Sequence, residues 1–569
     1  MFGFNFFKKP QPAASETAPV PGSLDHAREA LAKSFEAYKF ARRDRPHEAN
    51  QPFSYSGDAA IQTSHWLMNR RVRDLVRNTA QGKRVKNAFQ DLIVGTGFQT
   101  FSWPFAPQEM FQLVTELESL EGGKLGPRLQ FALEADDLYD EWSSDPVQFD
   151  VEGRLSRMEM ERMALGEAVI TGNSLIVRCF KKDFSIVPLC YQIIEREQLD
   201  NSMDQQRSAG KNKILNGIEF NSNNQAVAYH VLLDHPDDAI GGQGNVYGGM
   251  FGATTSGPQR RQRITADRVI DVAAWDRPSS SSGVSWYDST GQTTWDRDNY
   301  MGSEIKSAAV DAAFAFVAKL INGEKYGGWG FADGEGDSDD DGNRAFKVGQ
   351  SPIAATLGVG EELEMVRSTR PNSGAGPFIK ILDRDQAGGL GLSYYTLTGD
   401  YESTNFSSAR AAKLDEEMHI GPLKSWFGTH VALRMRRDFN SIAAATGVYH
   451  SLTPSDFAKH QRTYQRFDAV GNGRDLLDPY TEGEARTGRM RTGISTFKDE
   501  CAKTGKHWIK VMMQIALEKK MQKLFDVELD WSKPGMGENQ QNQQQPSKAQ
   551  GNQNDEVANR AQMLMQGDI

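Results

Sequence analysis

Residues Gly388–Ala412 read GGLGLSYYTLTGDYESTNFSSARAA, a run whose glycines and hydroxylated side chains set it apart from the helix-forming sequence on either side. Gly388, Gly389, Gly391 and Gly399 give the backbone hinge freedom. Among and beyond them Tyr394, Tyr395, Thr396, Thr398, Tyr401, Ser403 and Asn405 offer wet, neutral side chains. Ser407 or Ser408 stands where a hydroxyl caps a following helix that carries Arg410 and Lys413. The stretch reads either as an adaptable loop or as a rigid buried turn.

Upstream of this segment, Thr293–Ile321 has helical spacing, with Ile305, Ala309, Ala313, Phe316 and Leu320 on one face. Its small residues suit close packing against neighbouring helices, or burial in a core. Gly323–Gly342 contains FADGEGDSDDDG, an acidic stretch expected to be an exposed loop, and ATLGVGEELEMV at Ala355–Val366 resumes short strands. Downstream, helical patterning covers Ser407–His450 and Gly483–Phe525. Toward the N-terminus the spacing predicts helices at Leu24–Arg45, Ala59–Val94 and Pro107–Glu121, the second ending at Gly95 and Gly97. Val169–Ala274 alternates in strand fashion through SLIVRCF, AVAYHVLL and RVIDVAAW, interrupted by a Gly-, Ser- and Thr-rich loop at Gly241–Gln262. The fold class is therefore α+β and mostly helical. A Pro/Ala-rich arm precedes it, and a Gln-rich tail too polar to fold alone follows.

The 569 residues carry a formal net charge of −10. That balance disfavours a protein that grips DNA by neutralising phosphates. A net acidic wall repels the backbone and lets DNA slide past, although an ordinary acidic cytoplasmic protein has the same composition. Cys179, Cys190 and Cys501 show neither CxxC spacing nor a Cys/His pairing, and no apolar run is long enough to span a bilayer. Asp337, Asp339, Asp341 and Gly342 match the first half of a calcium loop, but Val348 stands where the bidentate Glu belongs. The Gly-rich pieces lack the phosphate-loop Lys-Ser/Thr, and Thr504–Lys506 is followed by His507. No nucleophile elbow or metalloprotease helix occurs, and His230, His235, His419 and His430 are scattered. The sequence thus predicts no catalytic residues, no cofactor and no metal.

Several ordered segments resemble the lambda family of phage portal proteins. RDLVRN at Arg73–Asn78 leads into DLIVGTGF at Asp91–Phe98; GIEFNSNNQAVAYHVLLDHP spans Gly217–Pro236, and RITADRVIDVAAWDRPSSSSGVSW spans Arg263–Trp286. Gly388–Ala412 is the most specific, similar to the family's A-G-L-G-L-P-Y-E … N-Y-S-S-A-R stretch with Ser393, Tyr395 and Phe406 as replacements. Leu476–Trp508 extends the likeness, with His507 in place of an acid.

The resemblance implies a portal fold with wing, stem, clip and crown, closing heterologously into a ring of about twelve copies. It divides the chain into a mobile N-terminal arm (1–23), a wing (24–292), a stem helix (293–322), a clip with its acidic loop (323–376) and a second stem helix (377–391). A tunnel loop (392–406), wing return helices (407–482), crown helices (483–531) and a disordered tail (532–569) follow. In the tunnel loop the residues named above would face double-stranded DNA. The implied partners are the terminase, which supplies the ATP hydrolysis, the major capsid protein and scaffold, and the head-tail connector proteins, with no membrane. The implied location is the virion vertex, after assembly in the host cytoplasm. A head-tail adaptor or the portal of a gene-transfer particle is the alternative.

Overall fold

A computed structural model describes residues 56–105, 126–208, 210–233, 235–236, 261–313, 317–320, 344–345, 361–364, 374–402, 404–471, 473 and 479–525. The expected arm at 1–23, the helices at Leu24–Arg45 and Pro107–Glu121, the calcium-like acidic stretch 333–342 and the tail at 532–569 lie outside the described residues.

The single helix expected over Ala59–Val94 is two. Helix α1 (Gly57–Asn78) stops at Thr79, whose backbone is extended, and α2 (Ala80–Phe89) starts there with the Thr79 hydroxyl accepting from the Gly82 amide. A cap satisfies amides that a continuous helix would bond internally, so the threonine makes the break inexpensive. Gly82 then approaches the Leu75 carbonyl so closely that a Cβ would sit 2.8 Å away. A π-helical turn (Gln90–Val94) ends at Gly95, φ +56°, as the sequence anticipated.

Strand β1 (Gln99–Ser102) follows, then helices α3 (Pro127–Ser144), α4 (Pro146–Phe149) and α5 (Arg157–Thr171), the last opened by a Ser156/Glu159 capping box. The region predicted to alternate forms two antiparallel sheets. One has the order β3-β2-β8, built from β2 (Asn173–Phe180), β3 (Leu189–Glu195) and β8 (Val269–Ala273). The other runs β4 (Lys213–Leu215), β5 (Ile218–Phe220), β6 (Ala226–Leu232) and β7 (Arg261–Thr265), so Arg261 and Gln262 of the expected loop are strand. Strand β2 is buried on both faces. Ile176 joins the main helical core, while Leu175 and Val177 join a second core against β5–β7, as period-2 alternation requires.

The helix predicted to Ile321 is shorter. Helix α6 spans Gly291–Ala313, and Val317–Leu320 forms β9, flanked by β10 (Arg344–Ala345) and β11 (Glu361–Glu364). On the Ala-rich face of α6 the two described side chains, Ile305 and Ala309, are exposed, Ile305 by 65%. The packed face holds Thr294, Arg297 and Tyr300 against α7 (Ala375–Leu390). Polar bonds decide this, with Arg297 Nε donating to Asp383 at 2.6 Å and Gln386 to the Thr294 hydroxyl at 2.5 Å.

After the short helix α8 (Tyr394–Thr398), α9 (Phe406–Phe427) and α10 (Leu433–Thr446) run through a second π-helical turn, Gly428–Ala432. The turn packs on Phe98, leaving no room for a Cβ at Gly428, where the ring would lie 2.9 Å away. Short helices α11 (Pro454–Lys459) and α12 (Gln461–Tyr464) lead to β12 (Phe467–Val470), which pairs with β1. The helical region expected at Gly483–Phe525 is α13 (Pro479–Arg491), α14 (Phe497–Lys503) and α15 (Trp508–Phe525). Two ion pairs lie inside the main core. Arg436 meets Asp136 at 2.6 Å, with a 0% exposed guanidinium, and Arg157 meets Glu161 at 2.8 Å.

Candidate functional site

The Gly388–Ala412 segment is an ordered reversal between α7 and α9. Gly388 and Gly389, expected as hinges, lie within the last turn of α7. Left-handed backbone occurs at Gly391 (φ +66°), which ends α7, and at Gly399 (φ +73°), which ends α8. Non-glycine residues pay about 1–2 kcal/mol there. Both positions are also crowded: a Cβ on Gly391 would meet the His419 ring at 2.2 Å, and one on Gly399 the Arg84 guanidinium at 2.9 Å.

Between them the stretch read as an adaptable loop or a rigid turn contains a turn of helix. Ser393 caps α8 by accepting from the Thr396 amide, and Leu392 and Leu397 are buried anchors. Glu416 of α9 is buried beneath, accepting from the Ser393 amide at 2.9 Å and the Thr396 hydroxyl at 3.1 Å. The Thr398 hydroxyl donates back to the Tyr394 carbonyl, so both threonines serve the turn's own bonding.

The three tyrosines do come together. Tyr394 and Tyr395 meet edge to face at 5.6 Å, and Tyr395 stacks on Tyr401 at 5.5 Å. Tyr401 remains 53% exposed, forming a lip with Glu402. The Tyr394 hydroxyl donates to Asp400 at 2.9 Å, and Lys380 approaches the same carboxylate at 3.3 Å. The Glu402 amide, then Tyr394 and Lys380, hold the Asp400 carboxyl below its ordinary range, while burial and then the Asp400 bond push the Tyr394 phenol up. Arg384 lies over the Tyr394 ring at 5.5 Å. The cap of α9 is Asn405, which accepts from the Ser408 amide at 2.8 Å, so neither serine plays the expected role. Ser403 lies outside the described residues.

Sequence reading missed Arg84, Lys380, Arg384, Asp400 and Glu416. Arg84 comes from α2 and donates to the Thr396 carbonyl at 3.0 Å across 312 residues of chain. No local pattern signals such a contact. A cavity of about 580 Å³ lies behind the segment, lined by Arg384, Leu392, Ser393, Tyr394 and His419.

The remaining candidates are structural. Glu195, Glu197 and His235 bring possible ligand atoms within 4.8 Å of one another. However, the Arg73 guanidinium already donates to both Glu197 oxygens, at 2.6 and 2.7 Å, and pairs with Glu167. Arg73 thus supplies the positive charge that a metal would supply. The His430 ring sits 2.9 Å from the Trp426 carbonyl one turn earlier.

Comparison with known proteins gives the frame for this geometry. The profile for phage portal proteins of the lambda family matches residues 43–421. The portal protein of Escherichia phage N15 is 21% identical over 497 residues, covering 81% of this chain and 86% of that protein. Portal protein B of Escherichia phage lambda is 20% identical over 490 residues, covering 81% and 85%. Among solved structures, a chain from the neck of an empty gene transfer agent particle covers 77% of this chain and 94% of its own, at 10% identity and a TM-score of 0.39. A chain from the virion of the native particle gives 76%, 93%, 10% and 0.38. With the family profile spanning most of the sequence, the chain belongs to the lambda family of phage portal proteins and serves as a portal, a structural protein of the virion.

Proposed function

We propose that the chain closes into a ring of about twelve copies at one capsid vertex, where double-stranded DNA enters during packaging and leaves during ejection. In this reading 24–292 and 407–482 build the wing, and 293–322 and 377–391 form the stem, whose inner contact is the α6–α7 pairing. The clip (323–376) docks the terminase and later the head-tail connector proteins, and 483–531 form the crown. The wing meets the major capsid protein and scaffold, and the ring assembles in the host cytoplasm before joining the virion.

The observation that carries the reading is the family match through residue 421, which includes the whole of Gly388–Ala412. The tunnel loop at 392–406 presents Tyr394, Tyr395, Thr396, Thr398, Tyr401, Ser403 and Asn405 to the channel. Its lip at Tyr401 and Glu402 is exposed, and the Leu392 and Leu397 anchors leave that lip free to meet passing DNA. Gly391 and Gly399 are its hinges; Gly388 and Gly389 join them only where the end of α7 unwinds.

Negative-stain imaging of the purified chain tests the ring, with rings of about twelvefold symmetry expected. Monomers or hexamers alone overturn it. Gly399→Glu tests the loop: rings form and DNA packaging falls. Loss of rings in that variant makes the segment a structural element and removes it from the channel.

A further inference from the structure

The molecule carries an unassigned pair of thiols. Cys179 on β2 and Cys190 on β3 are directly opposite in the antiparallel ladder, and opposite residues point to the same face of a sheet. Both are free thiols. The hydrogen-bond pattern fixes which kind of pair they are. Lys181 donates to the Pro188 carbonyl across the same two strands, whereas the Tyr191 carbonyl turns away from β2 to accept from Val151. Alternation makes Cys179 and Cys190 a hydrogen-bonded pair, with Cα atoms about 5.5 Å apart, within the range that disulfides span.

We propose that Cys179 and Cys190 are a redox-active pair that closes into a disulfide across the β2–β3 hairpin on meeting a low-molecular-weight disulfide such as oxidised glutathione. The order of steps follows from access. Cys179 is half-buried and Cys190 is buried. The Cys179 thiolate, having lost its proton to solvent, attacks one sulfur of glutathione disulfide, forming a mixed disulfide and releasing one glutathione thiolate. Deprotonated Cys190 then displaces the second glutathione, so the protein dithiol is oxidised by two electrons and one glutathione disulfide is reduced to two thiols. To reach bonding distance the Cβ atoms must draw in from about 5 Å to about 4 Å, a strain that keeps the bond readily reducible.

The surroundings set the rate. Burial raises the Cys179 thiol, opposed by the neighbouring Arg268 guanidinium. Burial also raises Cys190 to about 11, with Cys179 and Asp150 adding to the shift and Lys181 opposing it. Few thiolates exist at neutral pH, so closure is slow there and accelerates toward pH 9. The pair therefore stays open in a reducing cytoplasm and closes in an oxidising medium. This inference does not depend on the portal reading.

The test treats the full chain with oxidised glutathione at pH 7 and pH 9, blocks free thiols with N-ethylmaleimide and maps the cysteines by mass spectrometry without reduction. The expected products are an internal Cys179–Cys190 link formed at least about tenfold faster at pH 9 and reversed by dithiothreitol, with Cys501 left outside it. Cys190→Ser should stop at the glutathione adduct on Cys179, and Cys179→Ser should leave Cys190 unmodified. A stable glutathione adduct in the unsubstituted chain, links to Cys501 or to a second chain, or no reaction at pH 9 overturns the proposal. Because the mapping uses the unsubstituted protein, misfolding of either variant leaves it decisive.

Discussion

The main helical core and the α6–α7 pair solve the burial problem in opposite ways. In the core, Ile176, Phe89 and Phe439 are at most 1% exposed, and even the charges are inside, with Arg436 on Asp136 and Arg157 on Glu161. In the pair, contact runs through Arg297–Asp383, Gln386–Thr294 and the edge of the Tyr300 and Phe378 rings, while Ile305 and Ile381 stand 65% and 61% exposed. The core completes itself within one chain. The helical pair spends its polar groups on internal alignment and turns apolar side chains outward, as expected of an element that meets further copies.

Breaking the core should have the largest effect. Asp136→Ala leaves the Arg436 guanidinium buried without its carboxylate and should cost about 3–5 kcal/mol in a urea titration. Ile176→Ala should cost about 2–5 kcal/mol by the same measurement. A loss below about 1 kcal/mol in both would show that the core relaxes around vacancies and erase the contrast.

Acid should attack the same region through His65 of α1, which burial and then Arg196 hold down to about 3. A folded-state value below the unfolded one means that stability is complete above about pH 6.5 and falls as the pH drops toward 3, by at most about 1.4 kcal/mol per pH unit. Glu167, raised by burial to about 7, opposes this between pH 7 and 4.5, because its folded state takes up a proton first. His65→Gln should flatten the acid limb of a stability-versus-pH curve; an unchanged limb would assign acid sensitivity to other groups.

Gly391→Ala should cost about 1–2 kcal/mol for its left-handed backbone, and more while the His419 ring stands in the way. Adding His419→Ala should recover the steric part alone, as measured by thermal denaturation. The smallest effect sharpens the comparison most: Ile381→Ala should change the stability of the isolated chain by less than about 0.5 kcal/mol. Should assembled rings then dissociate more readily, as read by sedimentation, the exposed face is one that copies share.

Much of this was legible in the sequence because period and punctuation were local. The strands within 169–274, the end of the first helical region at Gly95 and the helices after Phe406 follow from alternation, glycine and helical spacing. What was not legible depended on competition between alternatives of similar cost. Thr79 splits a well-patterned helix because its hydroxyl makes a break inexpensive, and Asn405 caps α9 although two serines stand nearby. Which face of α6 packs within the chain was not legible either, because Arg297 pairs with Asp383, 86 residues away. Within Gly388–Ala412 the sequence shows three nearby tyrosines, but not that their rings meet. Nor was the segment's support by Glu416 and Arg84 legible, since only the fold brings those residues there.

The pairing of β6 with β7 has a practical side. Leu232 and Arg261 are partners in the ladder, so the chain leaves and re-enters the sheet at one place. The free energy of closing a connection grows only with the logarithm of its length. The interval between these strands is therefore a natural port for a fluorescent or affinity label: a peptide spliced there would mark every subunit while leaving the Tyr229–Ile264 and His230–Arg263 register in place.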